Sequence, residues 1–146
     1  KILFFFFFSE ASRYALTHAV YLAKLCKAKL YMIHVIYDIT VVRPYVAHPS
    51  LDKFYEEMVN EAKKEMEKSY REELRGFENV ERVVRKGPQP SSVINDFARE
   101  EKIDLIVVGS VGRTGLEKLI FGNTADKIIR RAPCPVLVVR VPEHKR

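Results

Sequence analysis

Ile103-Asp104-Leu105-Ile106-Val107-Val108-Gly109-Ser110-Val111-Gly112-Arg113-Thr114-Gly115 is the stretch on which the fold of this chain turns. The run from Ile103 to Val108 is apolar apart from Asp104 and rich in β-branched residues, as in a strand buried on both faces of a parallel sheet. Glycines at 109, 112 and 115 then allow a tight turn and a close approach of backbone to another surface. Gly122-Asn123-Thr124 opens a helical pattern that runs to about Arg131. Main-chain N–H groups at a helix start beside glycines favour an anion such as a phosphate.

Outward from this stretch the same alternation repeats. Ile2 to Phe8 reads as a first strand, and Ser9 caps a helix whose core stripe is Ala11, Ala15, Ala19, Leu22 and Cys26. Lys29 to Tyr37 is a second strand, and Asp38 to Ser50, with Pro44 and Pro49, is a long loop. Ser50 caps a long helix with the stripe Leu51, Tyr55, Met58, Ala62, Met66 and Tyr70, ended by Arg75-Gly76. Val80 to Lys86 is a third strand, followed by a turn at Gly87-Pro88. Ser91 or Ser92 caps a short helix that turns Val93, Ile94, Phe97 and Ala98 inward. Ala132-Pro133-Cys134-Pro135 ends the last helix, and Val136 to Val139 is a fifth strand. Five strands alternating with four helices predict an α/β fold: a five-stranded parallel sheet with helices on both faces, in a single domain over residues 1–146. Ligands of such sheets lie beyond the carboxyl ends of the strands, where strand order reverses.

Composition narrows the function classes. At 146 residues, 47% apolar and 30% charged, the chain suits a water-soluble domain with a real core. Ile2 to Phe8 is too short to cross a bilayer and is read as a strand because an amphipathic helix follows it directly, so no membrane role is expected. The net charge of +6 is spread along helices among acids, without zinc-finger spacing or an aromatic-basic RNA motif, so no nucleic-acid partner is expected. Cys26 and Cys134 are too few and too far apart for a disulfide framework and read as two buried thiols of a cytoplasmic protein. The four histidines lack ligand spacing, so no metal site is expected, and His34, within a strand, reads as a satisfied structural group. No general base stands beside the glycine loop and no Gly-x-Ser-x-Gly elbow is present, so no catalytic residue is assigned.

The glycine loop is neither a Walker A motif, which closes on Gly-Lys-Ser/Thr, nor the dinucleotide fingerprint, which follows the first strand. Its pattern is Gly109, two residues, Gly112, nine residues, Gly122. This spacing resembles that of the universal stress protein family, whose nucleotide-binding members carry Gly-2x-Gly-9x-Gly before Ser or Thr. The resemblance extends to the opening Lys-Ile-Leu-Phe and Phe-Ser-Glu-Ala-Ser, to Ile33-His34-Val35, to the Gly87 turn and to Pro135-Val136-Leu137-Val138-Val139. It implies strand order 3-2-1-4-5 and ATP or AMP, with or without Mg2+, at the ends of strands one and four. Gly109, Gly112, Gly122, Asn123 and the Thr124 amide would surround ribose and phosphates, and Val35 would touch the adenine. Arg113 stands where a cation could meet a phosphate. The resemblance also implies a homodimer through Val136–Val141, which would cover an edge strand.

Two positions depart from that pattern. Asn123 stands where the family has Ser or Thr, a mild change because Asn also caps helices. Phe5-Phe6-Phe7 stands where the family usually carries a segment ending in Asp, which helps to hold the nucleotide. Phe7 is therefore expected to fill core space, and an alternative role follows: a nucleotide-free, dimeric interaction module of the same fold. A slow ATPase is the third reading.

Overall fold

The computed structural model describes residues 1–7, 9–38, 45, 49–110 and 123–145. The elements run β1 (Ile2–Phe5), α1 (Glu10–Cys26), β2 (Leu30–Tyr37), α2 (Pro49–Lys68), β3 (Val80–Gly87), α3 (Pro90–Glu100), β4 (Leu105–Gly109), α4 (Asn123–Arg131) and β5 (Val136–Val139), with a short 3-10 turn at Glu143–Lys145. The strands form one sheet in the order β3-β2-β1-β4-β5. Every neighbouring pair is parallel, with Phe4 opposite Met32 on one side and Val107 on the other. The chain therefore winds outward from β1 to β3, returns, and winds the other way through β4 and β5. The reversal falls between β1 and β4, as the family resemblance implied.

The phenylalanine run is explained by the two-residue period of a strand. Phe4 and Phe6 enter a core formed with Leu16, Ala19, Met32, Tyr55 and Met66, on the side of α1 and α2. Phe5 and Phe7 enter a second core with Ile33, Val35, Ile94, Phe97 and Ile128, on the side of α3 and α4. Phe4 and Phe6 are wholly enclosed, and Phe5 and Phe7 are 7% and 4% exposed. A central strand covered on both faces can be large and apolar at every position.

Several local expectations are corrected. β1 ends at Phe5 rather than Phe8, although Phe6 N–H still donates to the Ile33 carbonyl at 2.8 Å. α2 begins at Pro49, so Ser50 lies inside the first turn, where proline's fixed φ suits a helix start. α3 is preceded by Gln89, whose side chain makes no capping bond, and Pro90 opens it; neither Ser91 nor Ser92 is the cap. The inward stripe of α2 takes the half-buried Val59 rather than Met58, which is 37% exposed, because steps of four and three carry the face from Tyr55 to Ala62. Cys26 is exposed on the last turn of α1, and Cys134 is partly covered, so the two thiols are not both buried. The long helix itself ends at Lys68, and the chain then turns through Tyr70 (φ 61°) and Gly76 (φ 76°).

Candidate functional site

The switch between β1 and β4 is built first by the segment that joins β1 to α1. Ser9 caps α1: its hydroxyl accepts the Ser12 N–H at 3.1 Å. The buried Ser12 hydroxyl in turn accepts the Phe7 N–H at 3.2 Å. Tyr70, brought in by the turn after α2, donates its hydroxyl proton toward the carbonyls of Phe7 (3.1 Å) and Ser9 (3.2 Å). Arg13 lies over the Tyr70 ring at 5.1 Å and bonds Glu73 at 3.1 Å. Burial raises the Tyr70 hydroxyl above its ordinary pKa, so at neutral pH it is a donor.

His34 ties β2 to the same segment. Its Nδ1 lies 3.1 Å from the Phe6 carbonyl. A carbonyl can only accept, so Nδ1 carries a proton. The residue is buried with its ring edge-on to Phe6 at 5.8 Å, the structural role expected for it. The backbone N–H and C=O groups of Phe6 and Phe7 are thus all bonded to protein, and the Phe7 ring is held against Phe5 at 5.1 Å.

Gly109, the last residue of β4, meets this ring. A side chain there would lie 3.1 Å from the Ala11 carbonyl oxygen and 3.5 Å from Cζ of Phe7. The missing Cβ therefore lets the α1 backbone at Ala11 approach the strand end closely, while the Phe7 ring would lie at ordinary contact distance. The next residue, Ser110, is 3% exposed; its N–H donates to the Val139 carbonyl at 2.9 Å, but its hydroxyl is buried without a hydrogen-bond partner among the described residues. Such a group normally has one, so this oxygen points to chemistry that the described residues do not supply.

Of the predicted site residues, Val35 is buried in the same core cluster as Phe7, and a Cβ at Gly109 would lie at ordinary contact distance from the Phe7 ring. Asn123 and Thr124 form the first turn of α4. Gly112, Arg113 and Gly122 lie outside the described residues. Ser110, Tyr70 and Asp38, a buried carboxyl residue whose N–H donates to the Gly87 carbonyl at 2.8 Å, were not singled out from the sequence. Ser110 could have been, as the one polar residue between the strand and the second glycine that a buried strand end must enclose. Burial, reinforced by the Asp104 charge, pushes the Cys134 thiol up, which disfavours the reactive thiolate. Among the described residues no group of three or more His, Cys, Asp or Glu could hold a metal ion, and no helix is long and apolar enough to cross a membrane.

Residues 1–140 match the family model described as the universal stress protein family. A universal stress protein of Methanocaldococcus jannaschii is 34% identical over 150 residues, covering 94% of this chain and 79% of the relative. The solved universal stress protein UspA from Lactobacillus plantarum superposes with a TM-score of 0.76 at 28% identity, over 95% of this chain and 96% of that one. A universal stress protein from Archaeoglobus fulgidus solved in complex with dAMP shares the fold, with a TM-score of 0.61 at 21% identity over 94% of both chains. With the strand order, the switch point and the spaced glycines in agreement, the chain belongs to the universal stress protein family.

Proposed function

We propose that this protein binds an adenine nucleotide, ATP or AMP, at the split between β1 and β4, in a regulatory role rather than as an efficient catalyst. One observation carries the reading: the Ser110 hydroxyl, buried and unpartnered at the carboxyl end of β4, immediately precedes the spaced-glycine loop. The described residues are compatible with such a ligand on the β4 side, where Gly112, Gly122, Asn123 and Thr124 would offer main-chain N–H groups to phosphates. Arg113 would add a charge and Val35 an apolar contact for the base. Gly109 would contribute through its backbone alone, because the space beside its Cα holds Ala11 and Phe7. The fold accommodates dAMP in the Archaeoglobus fulgidus protein, which supports the class of ligand at the level of the fold. Mg2+ would arrive with a triphosphate, bound by it. The remaining parts of the reading are a cytoplasmic location and a homodimer through residues 136–141. β5 pairs on one side with β4, and Val136, Leu137 and Val138 are each only partly buried, as an edge available to a second copy would be.

Isothermal calorimetry at micromolar protein and millimolar AMP or ATP tests the nucleotide. A binding heat with a rise in Tm is expected, about 2.7 kcal/mol of added stability at a hundredfold excess over Kd. Ser110→Ala should weaken binding several-fold, the size of one hydrogen bond. No heat with either nucleotide overturns the proposal.

A second reading is favoured by the Phe7 ring, which fills the space beside Gly109. On that reading the chain is a nucleotide-free, dimeric interaction module. Phe7→Asp separates the two: nucleotide binding that appears only in the variant means that the aromatic ring has disabled the site.

A further inference from the structure

A concave site lies away from the switch point, in the groove between α3 and α4. It encloses about 320 Å³ and is lined by Ser91, Ser92 and Asn95 of α3 and by Lys127, Arg130 and Arg131 of α4, with Gln89 at its edge. Among the described residues, three cations and no carboxylate line it; Asp126, outside the lining, pairs with Arg130 at 3.1 Å.

Two further features suit it to an anion that also carries a hydroxyl. The first is the start of α3. Gln89 provides no side-chain cap and Pro90 has no N–H, so the Ser91 and Ser92 amides begin the helix ahead of its own bonding ladder. The second is Asn95, 3% exposed and part of the lining. Its Nδ2 donates to the Ile128 carbonyl at 3.4 Å, which fixes the amide orientation because a carbonyl cannot donate. Its Oδ1 is then left buried with no partner among the described residues, an acceptor waiting for a donor. The groove is also held in shape. Arg99 pairs with Asp96 at 3.3 Å and donates from Nη2 to the Arg131 carbonyl at 2.8 Å, tying α3 to α4 beside the Asn95 bond.

We infer that the α3–α4 groove binds a small hydroxylated phosphate monoester, with its phosphate on Lys127, Arg131 and the Ser91–Ser92 amides and a hydroxyl donating to Asn95 Oδ1. The inference is independent of the nucleotide reading, since none of these residues belongs to the β1–β4 split.

Titration of 15N-labelled protein with ribose 5-phosphate, with inorganic phosphate and with ribose, without added nucleotide, tests it. Ribose 5-phosphate should shift the Ser91 and Ser92 amides and the Asn95 side-chain NH2, and bind at least tenfold more tightly than inorganic phosphate. Lys127→Gln combined with Arg131→Gln, both surface changes, should weaken it at least tenfold. Asn95→Ala should abolish the preference over inorganic phosphate. The inference is overturned by absence of binding, by equal affinities that the charge variants leave unchanged, or by shifts confined to residues 105–110 and 123–125. That last pattern would put the probe at the β4 end instead.

Discussion

Phe6 and Phe7 are adjacent, chemically identical and both buried, yet the two faces of the sheet use them differently. Phe6 is edge-on to Tyr70 at 5.1 Å and to His34, and its carbonyl is bonded by His34. On this face, apolar packing and a polar clamp agree on the arrangement around Phe6, although Glu73 Oε2, at the edge of that clamp, is buried without a hydrogen-bond partner among the described residues. Phe7 packs against Phe5 and lies near the end of β4, where Ser110 follows Gly109 with a buried hydroxyl that has no partner among the described residues. On that face apolar packing stops beside a polar group it does not satisfy. Around Phe6 one face is finished as a protein core, while the other, on the proposed reading, ends where a ligand's polar groups would complete it.

The largest effect should come from the finished face. Phe6→Ala removes a ring with 0% exposure, and a loss of roughly 3–5 kcal/mol is expected by urea denaturation. Phe7→Ala should cost less, about 3 kcal/mol, because its ring borders the open end of the sheet, and it should loosen the space beside Gly109. Equal costs, with no change in nucleotide affinity for Phe7→Ala, would break the contrast between the faces.

Tyr70→Phe sharpens it at lower magnitude. The ring stays and only the hydroxyl that reaches the Phe7 and Ser9 carbonyls is lost, so about 1 kcal/mol is expected. The effect should depend on pH. Burial holds the folded-state pKa above the ordinary value of 10.0, so the hydroxyl's contribution is intact below that value. It is lost as pH rises through the higher folded-state pKa. Thermal melts from pH 9 to 11 should therefore show the wild type losing its advantage over Tyr70→Phe; a constant gap would mean that the hydroxyl does not titrate in this range. Ser9→Ala, which removes the α1 cap on the same segment, should cost about 1 kcal/mol at any of these pH values.

The sheet was legible because the strands other than β2 are bounded by glycine, proline or a capping serine and each helix carries a 3.6-residue stripe. The switch point followed from strand order, and strand order from the family resemblance. What could not be read was contact between distant segments. Tyr70 looked like the last residue of an apolar stripe; only a left-handed turn at φ 61° brings its hydroxyl under Phe7. Ser91 and Asn95 repeat at i,i+4 beside Ile94, Phe97 and Ala98, a polar line along a core face. That pattern was visible in the sequence, but its meaning depends on α4 lying alongside. Caps were misplaced at α2 and α3 because proline at a helix start displaced the serines that otherwise signal one.

The smallest expected effects concern what the two faces share. α1 and α3 end alike, although they cover opposite sides of the sheet. Lys27 (φ 52°) and Lys102 (φ 54°) both adopt the left-handed conformation just past their helices. The following residues, Ala28 and Ile103, donate to Ala23 and Ala98 at 2.9 and 3.0 Å, the six-to-one closure of a Schellman end. A lysine there carries a Cβ that crowds the backbone, whereas glycine does not. The gain from relieving that crowding exceeds the extra freedom glycine gives the unfolded chain, so each of Lys27→Gly and Lys102→Gly should stabilise by about 0.5 kcal/mol. The sites are on different helices and share no partner, so the double variant should show the sum. A gain on one side only would mean that the ends of the two helices differ as their faces do, and the contrast drawn from Phe6 and Phe7 would then extend along the whole length of each layer.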